Sequence, residues 1–130
     1  MKVRPAMPTI LVVEDSALNR KLIETVLKPH GYRVIAAENG RQAVDLALQE
    51  RPDLILMDVM MPMMNGYEAA RLIRGQGEIN AVPIIALTAS AMPHERDRAL
   101  EAGCDGYVSK PIDTRAFLDQ IRHFLHRVHR

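Results

Sequence analysis

Short apolar runs that alternate with segments of helical periodicity constrain the fold of this 130-residue chain more than any other feature. The first run, Thr9–Val13, is apolar and β-branched without alternation, which is typical of a strand covered on both faces. After it, Leu18, Leu22, Val26 and Leu27 recur at helical spacing and predict a helix. Further strands are predicted over 33–37, 54–57, 83–87 and 106–109.

The helices between these strands carry start and stop signals. Asn39 is a cap candidate for the second helix, which Pro52 ends, and Asp113 is one for the last helix. Two more helices are predicted over 66–74 and 93–102. The apolar stripe of the last helix consists of Phe117, Ile121, Phe124, Leu125 and Val128. Five strands that alternate with five helices indicate an α/β fold, in which a parallel sheet carries helices on both faces.

Composition narrows the class of protein. We expect one domain over 9–126, flanked by tails at 1–8 and 127–130. A domain of this size would bury roughly two thirds of the surface that its unfolded chain exposes. The net charge of +1 does not support nucleic-acid binding. Cys104 is the only cysteine, and we interpret it as a small buried residue in a reducing compartment. No run approaches about 18 apolar residues, and no signal region is present, so we expect a cytoplasmic protein without a membrane span.

Polar residues follow four of the predicted strands. Glu14 and Asp15 follow the first strand, Asp58 the third, Thr88 the fourth and Lys110 the fifth. In a doubly wound parallel sheet the ligand site lies beyond the carboxyl ends of the strands, at the point where the strand order reverses. The sequence therefore predicts that these side chains converge on one edge of the sheet.

Three carboxylates at one point repel one another unless a cation is present. Mg²⁺ is the cation that we expect, because it takes oxygen ligands and is held by one or two carboxylates together with phosphate oxygens. We predict Asp15 and Asp58 as direct ligands, Glu14 as a ligand through water, and the backbone carbonyl of Met60 as a further ligand. Such a site suits phosphoryl transfer onto Asp58, since carboxylates can form aspartyl phosphates.

One basic side chain, Lys110, and one neutral side chain, Thr88, complete the predicted site. The ammonium of Lys110 would take up charge on the transferring group, as a compact point charge can. The hydroxyl of Thr88 would hydrogen-bond a phosphoryl oxygen. Taken alone, each has a structural alternative: Lys110 as a solvated loop residue, Thr88 as loop or cap chemistry, Asp58 as a turn residue, and Glu14 and Asp15 as negative charge at a helix start. The ordered combination is harder to obtain by chance.

Two other clusters are interpreted as structural. The methionines in and after the third strand could be read as a metal site, in which their thioethers would select Cu(I). We prefer the interpretation that they provide adaptable packing for the loop. They are Met57, Met60, Met61, Met63 and Met64. Three histidines near the carboxyl end of the last helix, His123, His126 and His129, are interpreted as solvated residues at a helix terminus and not as a metal site.

Four segments resemble the receiver domains of two-component response regulators, including CheY-like stand-alone forms. They are LVVEDSALNR, LILMDVMMPMMNG, ALTASA and GYVSKPID, and the resemblance extends over 9 to about 126. It implies a flavodoxin-like (CheY-like), doubly wound, five-stranded parallel sheet with strand order 2-1-3-4-5 and five helices. It also implies that phosphorylation changes a face made of the fourth helix, the fifth strand and the last helix.

The resemblance assigns a role to each matching residue. Asp58 would be the phosphoacceptor, Glu14 and Asp15 the acidic pair for Mg²⁺, and Lys110 the lysine that faces the phosphate. Thr88 and Tyr107 would be the switch residues. The peptide bond between Lys110 and Pro111 is expected to be cis, at a cost of about 0.5–1 kcal/mol for an X–Pro bond.

These observations predict a signalling phosphoacceptor that assists its own phosphorylation and dephosphorylation, and not an enzyme with an external substrate. A histidine kinase or a histidine phosphotransfer protein would supply the phosphoryl group, and a downstream protein would read the result, with the chain as a monomer or a phosphorylation-dependent homodimer. The alternatives are a constitutive interaction domain, a receiver cut from a hybrid histidine kinase, and a Mg²⁺-dependent phosphatase. A phosphatase should carry a second acid two residues after its nucleophile, where this chain has Met60.

Overall fold

A computed structural model describes residues 7–60, 64–77, 79, 81–88, 92–110 and 112–128. Within these ranges five strands alternate with five α-helices. The strands are β1 Thr9–Val13, β2 Arg33–Ala37, β3 Leu54–Asp58, β4 Ile84–Thr88 and β5 Gly106–Ser109. The helices are α1 Ala17–Leu27, α2 Gly40–Glu50, α3 Gly66–Arg74, α4 Pro93–Glu101 and α5 Thr114–Val128, with a 3₁₀ turn at Lys28–His30 after α1.

The strands form one parallel sheet in the order β2-β1-β3-β4-β5, which confirms the predicted fold class and strand order. β1 pairs with both β2 and β3, so the strand order reverses between β1 and β3. All five residues of β3 are buried. The switch point therefore lies at the carboxyl ends of β1 and β3, in the middle of the sheet.

Alternate residues of each strand face two separate cores. On one side Leu11 and Met57 pack with residues of α2, α3 and α4. On the other side Ile10 and Leu56 pack with residues of α1 and α5, among them Phe117. Because both faces of the three central strands β1, β3 and β4 are covered, their sequences are apolar except at their ends.

Side-chain caps begin four of the helices. The predicted caps Asn39 and Asp113 are confirmed, because their side chains accept from the N–H groups three residues on, at 2.8 and 3.2 Å. Ser16 caps α1 in the same way at 3.3 Å, and Asn65 forms a capping box with Glu68 at the start of α3. The Ser16 cap begins α1 directly after the acidic residues Glu14 and Asp15 that follow β1.

Helix α1 departs from a simple apolar stripe. Ile23 and Leu27 are buried, whereas Leu18 and Leu22 are 70% and 55% exposed. The two pairs form adjacent ridges, each with a spacing of four residues, and only one ridge can face the sheet. In α5 the predicted apolar residues Phe117, Ile121, Phe124 and Leu125 are all buried.

The element ends differ slightly from those predicted. β3 includes Asp58 and β4 includes Thr88, one residue later than predicted, because Asp58 pairs with Leu87 and the N–H of Val59 donates to the Leu87 carbonyl at 3.1 Å. α5 continues to Val128, two residues past the predicted domain end at 126. Among the described residues, none of the helices combines the length and apolar character that crossing a membrane requires.

Candidate functional site

Three carboxylates meet at the switch point. The side chains of Glu14, Asp15 and Asp58 each offer an oxygen atom, and these atoms lie within 4.8 Å of one another. Glu14 and Asp58 are buried, at 1% and 3% exposure, whereas Asp15 is exposed. Because β1 and β3 are neighbours in the sheet, their ends bring residues 44 apart in sequence into one cluster.

Lys110, which directly follows β5, faces two of these carboxylates. Its Nζ lies 3.3 Å from Oε2 of Glu14 and 3.4 Å from Oδ2 of Asp58. The N–H of Lys110 donates to the Thr88 carbonyl at 2.7 Å, which fixes the end of β5 against that of β4. The cluster therefore contains three carboxylates and one ammonium, which leaves an excess of negative charge.

The pKa values in the cluster reflect this imbalance. Burial raises the pKa of Glu14 above its ordinary value, and the neighbouring Asp58 raises it further, while Lys110 acts in the opposite direction. Burial would lower the pKa of Lys110, but the facing carboxylates of Asp58 and Glu14 outweigh it and raise that pKa. A cation bound among the acids would relieve the cost that burial imposes on Glu14.

Backbone contacts hold Glu14 and Asp58 in place. The N–H of Glu14 donates to the carbonyl of Ala37 at 3.0 Å, and Oε1 of Glu14 accepts from the N–H of Ser16 at 3.3 Å. Oδ1 of Asp58 accepts from the N–H of Met60 at 3.0 Å. The inner acid, Glu14, is thus bonded on several sides, and the exposed Asp15 is open to an incoming group.

Gly66 is a site residue that the sequence analysis missed. A Cβ atom at this position would lie 2.5 Å from the carbonyl oxygen of Asp58 and 2.8 Å from Cα of Val59. Only glycine allows the start of α3 to approach the backbone of Asp58 this closely. The signal in the sequence is a glycine that directly follows the cap residue Asn65, where an ordinary helix would not need one.

The two predicted switch residues lie on adjacent strands. Thr88 is buried at the end of β4 and pairs with Ser109, and Tyr107 is half-buried on β5 and pairs with Ala86. Tyr107 contributes to the core under α2, α3 and α4 and also lines a cavity of about 640 Å³ between α4, β5 and α5. Tyr107 is thus in contact with both the core and the outer surface.

Other sequence predictions meet different outcomes. Met57 is buried and Met64 packs on the core, but Met60 is 74% exposed, so packing is the wrong interpretation for that residue. Cys104 is buried as predicted, and burial raises the pKa of its thiol to about 11. Met61, Met63 and His129 lie outside the described residues, as does Pro111 and with it the predicted cis bond.

The acids of the site form the only cluster of its kind in the described ranges. There, Glu14, Asp15 and Asp58 are the one group of three or more Asp, Glu, His or Cys side chains close enough to share a metal ion. His123 and His126 are exposed on α5 and do not join such a group. Hard carboxylate oxygens in negative excess fit Mg²⁺, which avoids thiolate and thioether ligands.

The sheet order and the acidic edge define a flavodoxin-like α/β domain with an acidic cluster at its switch point, the position where such folds bind ligands. The family model described as response regulator receiver domain matches residues 10–122. The chain is 39% identical to the polar-differentiation response regulator DivK of Brucella anthropi over 117 residues. The aligned region covers 90% of this chain and 95% of that protein. The chain belongs to the response regulator receiver domain family of two-component systems.

Two solved structures are similar to this chain in fold and sequence. The receiver domain of the sensor histidine kinase PA1611 from Pseudomonas aeruginosa, which has a magnesium ion coordinated in its active-site cleft, matches with a TM-score of 0.87 and 40% identity, covering 93% of this chain and 99% of that one. The receiver domain of Saccharomyces cerevisiae Ssk1, solved with the histidine phosphotransfer protein Ypd1, matches with a TM-score of 0.85 and 32% identity, covering 95% and 91%.

Proposed function

We propose that this receiver domain accepts a phosphoryl group on Asp58 from a phosphohistidine and thereby switches a protein-binding face. The observation that carries the proposal is the position of Asp58, a buried carboxylate at the switch point with the Lys110 ammonium 3.4 Å away. Two further acids within 4.8 Å supply the charge that a divalent cation needs. Family membership supports the same reaction class.

The transfer is a substitution at phosphorus. An Oδ lone pair of Asp58 attacks the phosphorus of the phosphohistidine, the P–N bond breaks, and its electron pair stays on the imidazole nitrogen of the donor. The imidazole, protonated on its other nitrogen, leaves as the neutral ring. Lys110 stabilises the negative charge on the phosphoryl oxygens, as a fixed cation near the reacting atoms does. The signal ends by hydrolysis: a water oxygen attacks phosphorus, the P–O bond to Asp58 breaks with its electron pair left on the carboxylate, and inorganic phosphate leaves with the protons of the water.

Four groups of this chain would hold Mg²⁺. They are the carboxylates of Asp15 and Asp58, the carboxylate of Glu14 through a water, and the backbone carbonyl of Met60. When bound, Mg²⁺ supplies positive charge against the phosphoryl oxygens. The hydrogen bond from the Met60 N–H to Asp58 keeps the predicted carbonyl ligand close to the acceptor.

The response to phosphorylation would start at Thr88. A phosphoryl group adds roughly −1.5 to −2 charge and strong acceptor oxygens at Asp58. The Thr88 hydroxyl, on the strand next to Asp58, would move to hydrogen-bond them, and Tyr107 would turn inward. The surface around the cavity between α4, β5 and α5 would change shape, and a downstream protein that binds one shape better would read the signal.

The donor would approach across α1. Leu18 and Leu22 are exposed beside the site, and a groove of about 400 Å³ between α1 and α5 is lined by Leu22, Phe117 and the site residues Glu14 and Lys110. An apolar surface that reaches the acceptor suits a histidine kinase or a histidine phosphotransfer protein, the kind of partner bound in the Ssk1 complex.

The test is phosphorylation by a small donor. Wild type and Asp58→Asn are treated with acetyl phosphate with and without Mg²⁺, and intact mass is measured. We expect a Mg²⁺-dependent gain of one phosphoryl group in the wild type and none in Asp58→Asn. Asp105→Asn, an equivalent change at the other edge of the sheet, is the matched control and should still be phosphorylated. No gain in the wild type, with Mg²⁺ binding measured separately, would favour a constitutive interaction domain.

A further inference from the structure

Arg20, on α1, reaches back to the loop that carries the acidic pair. Its Nη1 donates to the backbone carbonyl of Glu14 at 2.9 Å and to that of Asp15 at 3.3 Å. Its Nη2 lies 3.7 Å from Oε1 of Glu38, in the loop after β2. The Arg20 side chain is 18% exposed, so one guanidinium joins the two loops at the end of the sheet from a largely covered position.

These bonds meet a definite need of the backbone. Glu14 follows the last residue of β1 and is 1% exposed, so its carbonyl group needs a hydrogen-bond partner within the protein. Arg20 supplies that partner. Glu14 is then held at its N–H by Ala37, at its carbonyl by Arg20, and at its carboxylate by Ser16 and Lys110.

Charge and position act in opposite directions at Arg20. A cation near the acids repels Mg²⁺, so the charge of Arg20 by itself weakens binding. Its hydrogen bonds hold the backbone of Glu14 and Asp15, and a fixed backbone limits the orientations of their carboxylates. Residues outside the ligand set that orient ligands often change metal affinity by 10–100-fold.

We propose that Arg20 is a positioning residue, which fixes the Glu14 and Asp15 backbone so that their carboxylates are arranged for Mg²⁺. The inference rests on the proposed function only in its choice of cation. It assigns to α1 a role in building the site in addition to the exposed leucines that we assign to donor docking.

The test compares Mg²⁺ affinity among three variants of the full chain. Arg20→Gln removes the charge and the forked donor, Arg20→Lys keeps the charge and one donor group, and Lys21→Gln removes the same charge from the next residue of α1. Mg²⁺ is titrated by ¹H–¹⁵N NMR, with the amide signals of Asp15, Asp58 and Met60 followed. Far-UV circular dichroism and thermal unfolding show whether each variant folds.

We expect the Kd of Arg20→Gln for Mg²⁺ to rise about 10-fold, although a charge that repels Mg²⁺ has been removed. Arg20→Lys should recover part of the loss, and Lys21→Gln should change Kd less than about twofold, because exposed charges are screened. The stoichiometry should stay at one ion per folded chain. A role in stability alone would reduce the folded fraction and leave Kd unchanged. Binding by Arg20→Gln as tight as or tighter than the wild type overturns the inference.

Failure of this inference can be separated from failure of the proposed function. If the wild type is phosphorylated by acetyl phosphate and Arg20→Gln binds Mg²⁺ normally, only the inference is wrong. If Arg20→Gln weakens Mg²⁺ binding but the wild type gains no phosphoryl group, only the proposed function is wrong. If the wild type does not bind Mg²⁺ at all, both are wrong.

Discussion

The two edges of the sheet both contain charged residues, but they use them differently. At the carboxyl edge, three carboxylates share one lysine whose Nζ lies 3.3 and 3.4 Å from two of them. At the amino edge, Arg74 is paired with Asp105 at 2.6 Å and also donates to the carbonyls of Gly103 and Val82 at 2.8 and 2.5 Å. The first arrangement has excess negative charge and long contacts, and the second is balanced and closely bonded.

The acids show the same contrast in their backbone contacts. At the amino edge, Asp53 accepts from the N–H of Thr9 at 2.7 Å, and Asp105 accepts from that of Ile84 at 2.8 Å, so both hold the start of a strand. At the carboxyl edge, Asp15 is exposed, and Asp58 accepts from the N–H of Met60 at 3.0 Å and from the Lys110 ammonium at 3.4 Å, so its contacts hold the loop of the site and not the start of a strand. Charges that satisfy one another stabilise the fold, whereas an unbalanced set retains affinity for a ligand at a cost in stability.

The largest expected effect is at the carboxyl edge, for Lys110→Met. Removing the Lys110 ammonium should slow phosphorylation by acetyl phosphate about 10²–10³-fold, the usual loss for one group that stabilises transition-state charge. The rate is followed by intact mass at saturating Mg²⁺. Lys28→Met removes the same charge from an exposed position and is the matched control. A loss below about tenfold would show that the contrast between the edges does not depend on Lys110.

The second prediction concerns stability at the amino edge. Arg74→Met should lower the free energy of unfolding by about 2–3 kcal/mol, because charge-assisted hydrogen bonds to Asp105, Gly103 and Val82 are lost together. Urea unfolding measures the change, and Arg71→Met, an exposed residue one turn earlier, is the control. Mg²⁺ affinity should be unchanged. A large loss of Mg²⁺ affinity would mean that the two edges are coupled.

The third prediction tests whether the amino edge is closed to solvent reagents. The pKa of Cys104 is raised from 9.0 to about 11, mainly by burial, so at pH 8 the thiolate is about 100-fold less abundant than in the unfolded chain. The Cys104 thiol should react with a disulfide reagent at least about 100-fold more slowly in the native protein than in the protein unfolded by urea. Equal rates in the folded and unfolded protein would contradict a closed edge.

The smallest expected effect has opposite signs at the two edges. Without Mg²⁺, Asp58→Asn should raise the free energy of unfolding by about 1 kcal/mol, because it removes one of three mutually repelling carboxylates. Asp105→Asn should lower it, because Arg74 loses its carboxylate partner. Thermal and urea unfolding measure both. Saturating Mg²⁺ should reduce the advantage of Asp58→Asn, since ligand binding stabilises the wild type. The same sign in both variants would contradict the comparison.

The parts of the fold that depend on local chemistry were predicted well. Strand positions follow from apolar runs, and the caps at Asn39 and Asp113 follow from side chains that can bond the first free N–H groups of a helix. The α5 stripe was also predicted, because only one apolar face is available there. In α1 the sequence offers two adjacent apolar ridges, one formed by Leu18 and Leu22 and the other by Ile23 and Leu27. Periodicity alone does not determine which of the two faces the sheet.

The sequence by itself determined the order in which strands and helices follow one another along the chain. It also determined that acids, a hydroxyl and a lysine come directly after particular strands. These follow from periodicity and from residue type, which are local properties. The tertiary structure decided what packs at the sheet edges: the exposed ridge of α1, the close approach of Gly66 to Asp58, the exposure of Met60, and the bonds from Arg20 to the Glu14 loop. These depend on distances between residues on different elements, and such distances exist only once the sheet has brought the elements together.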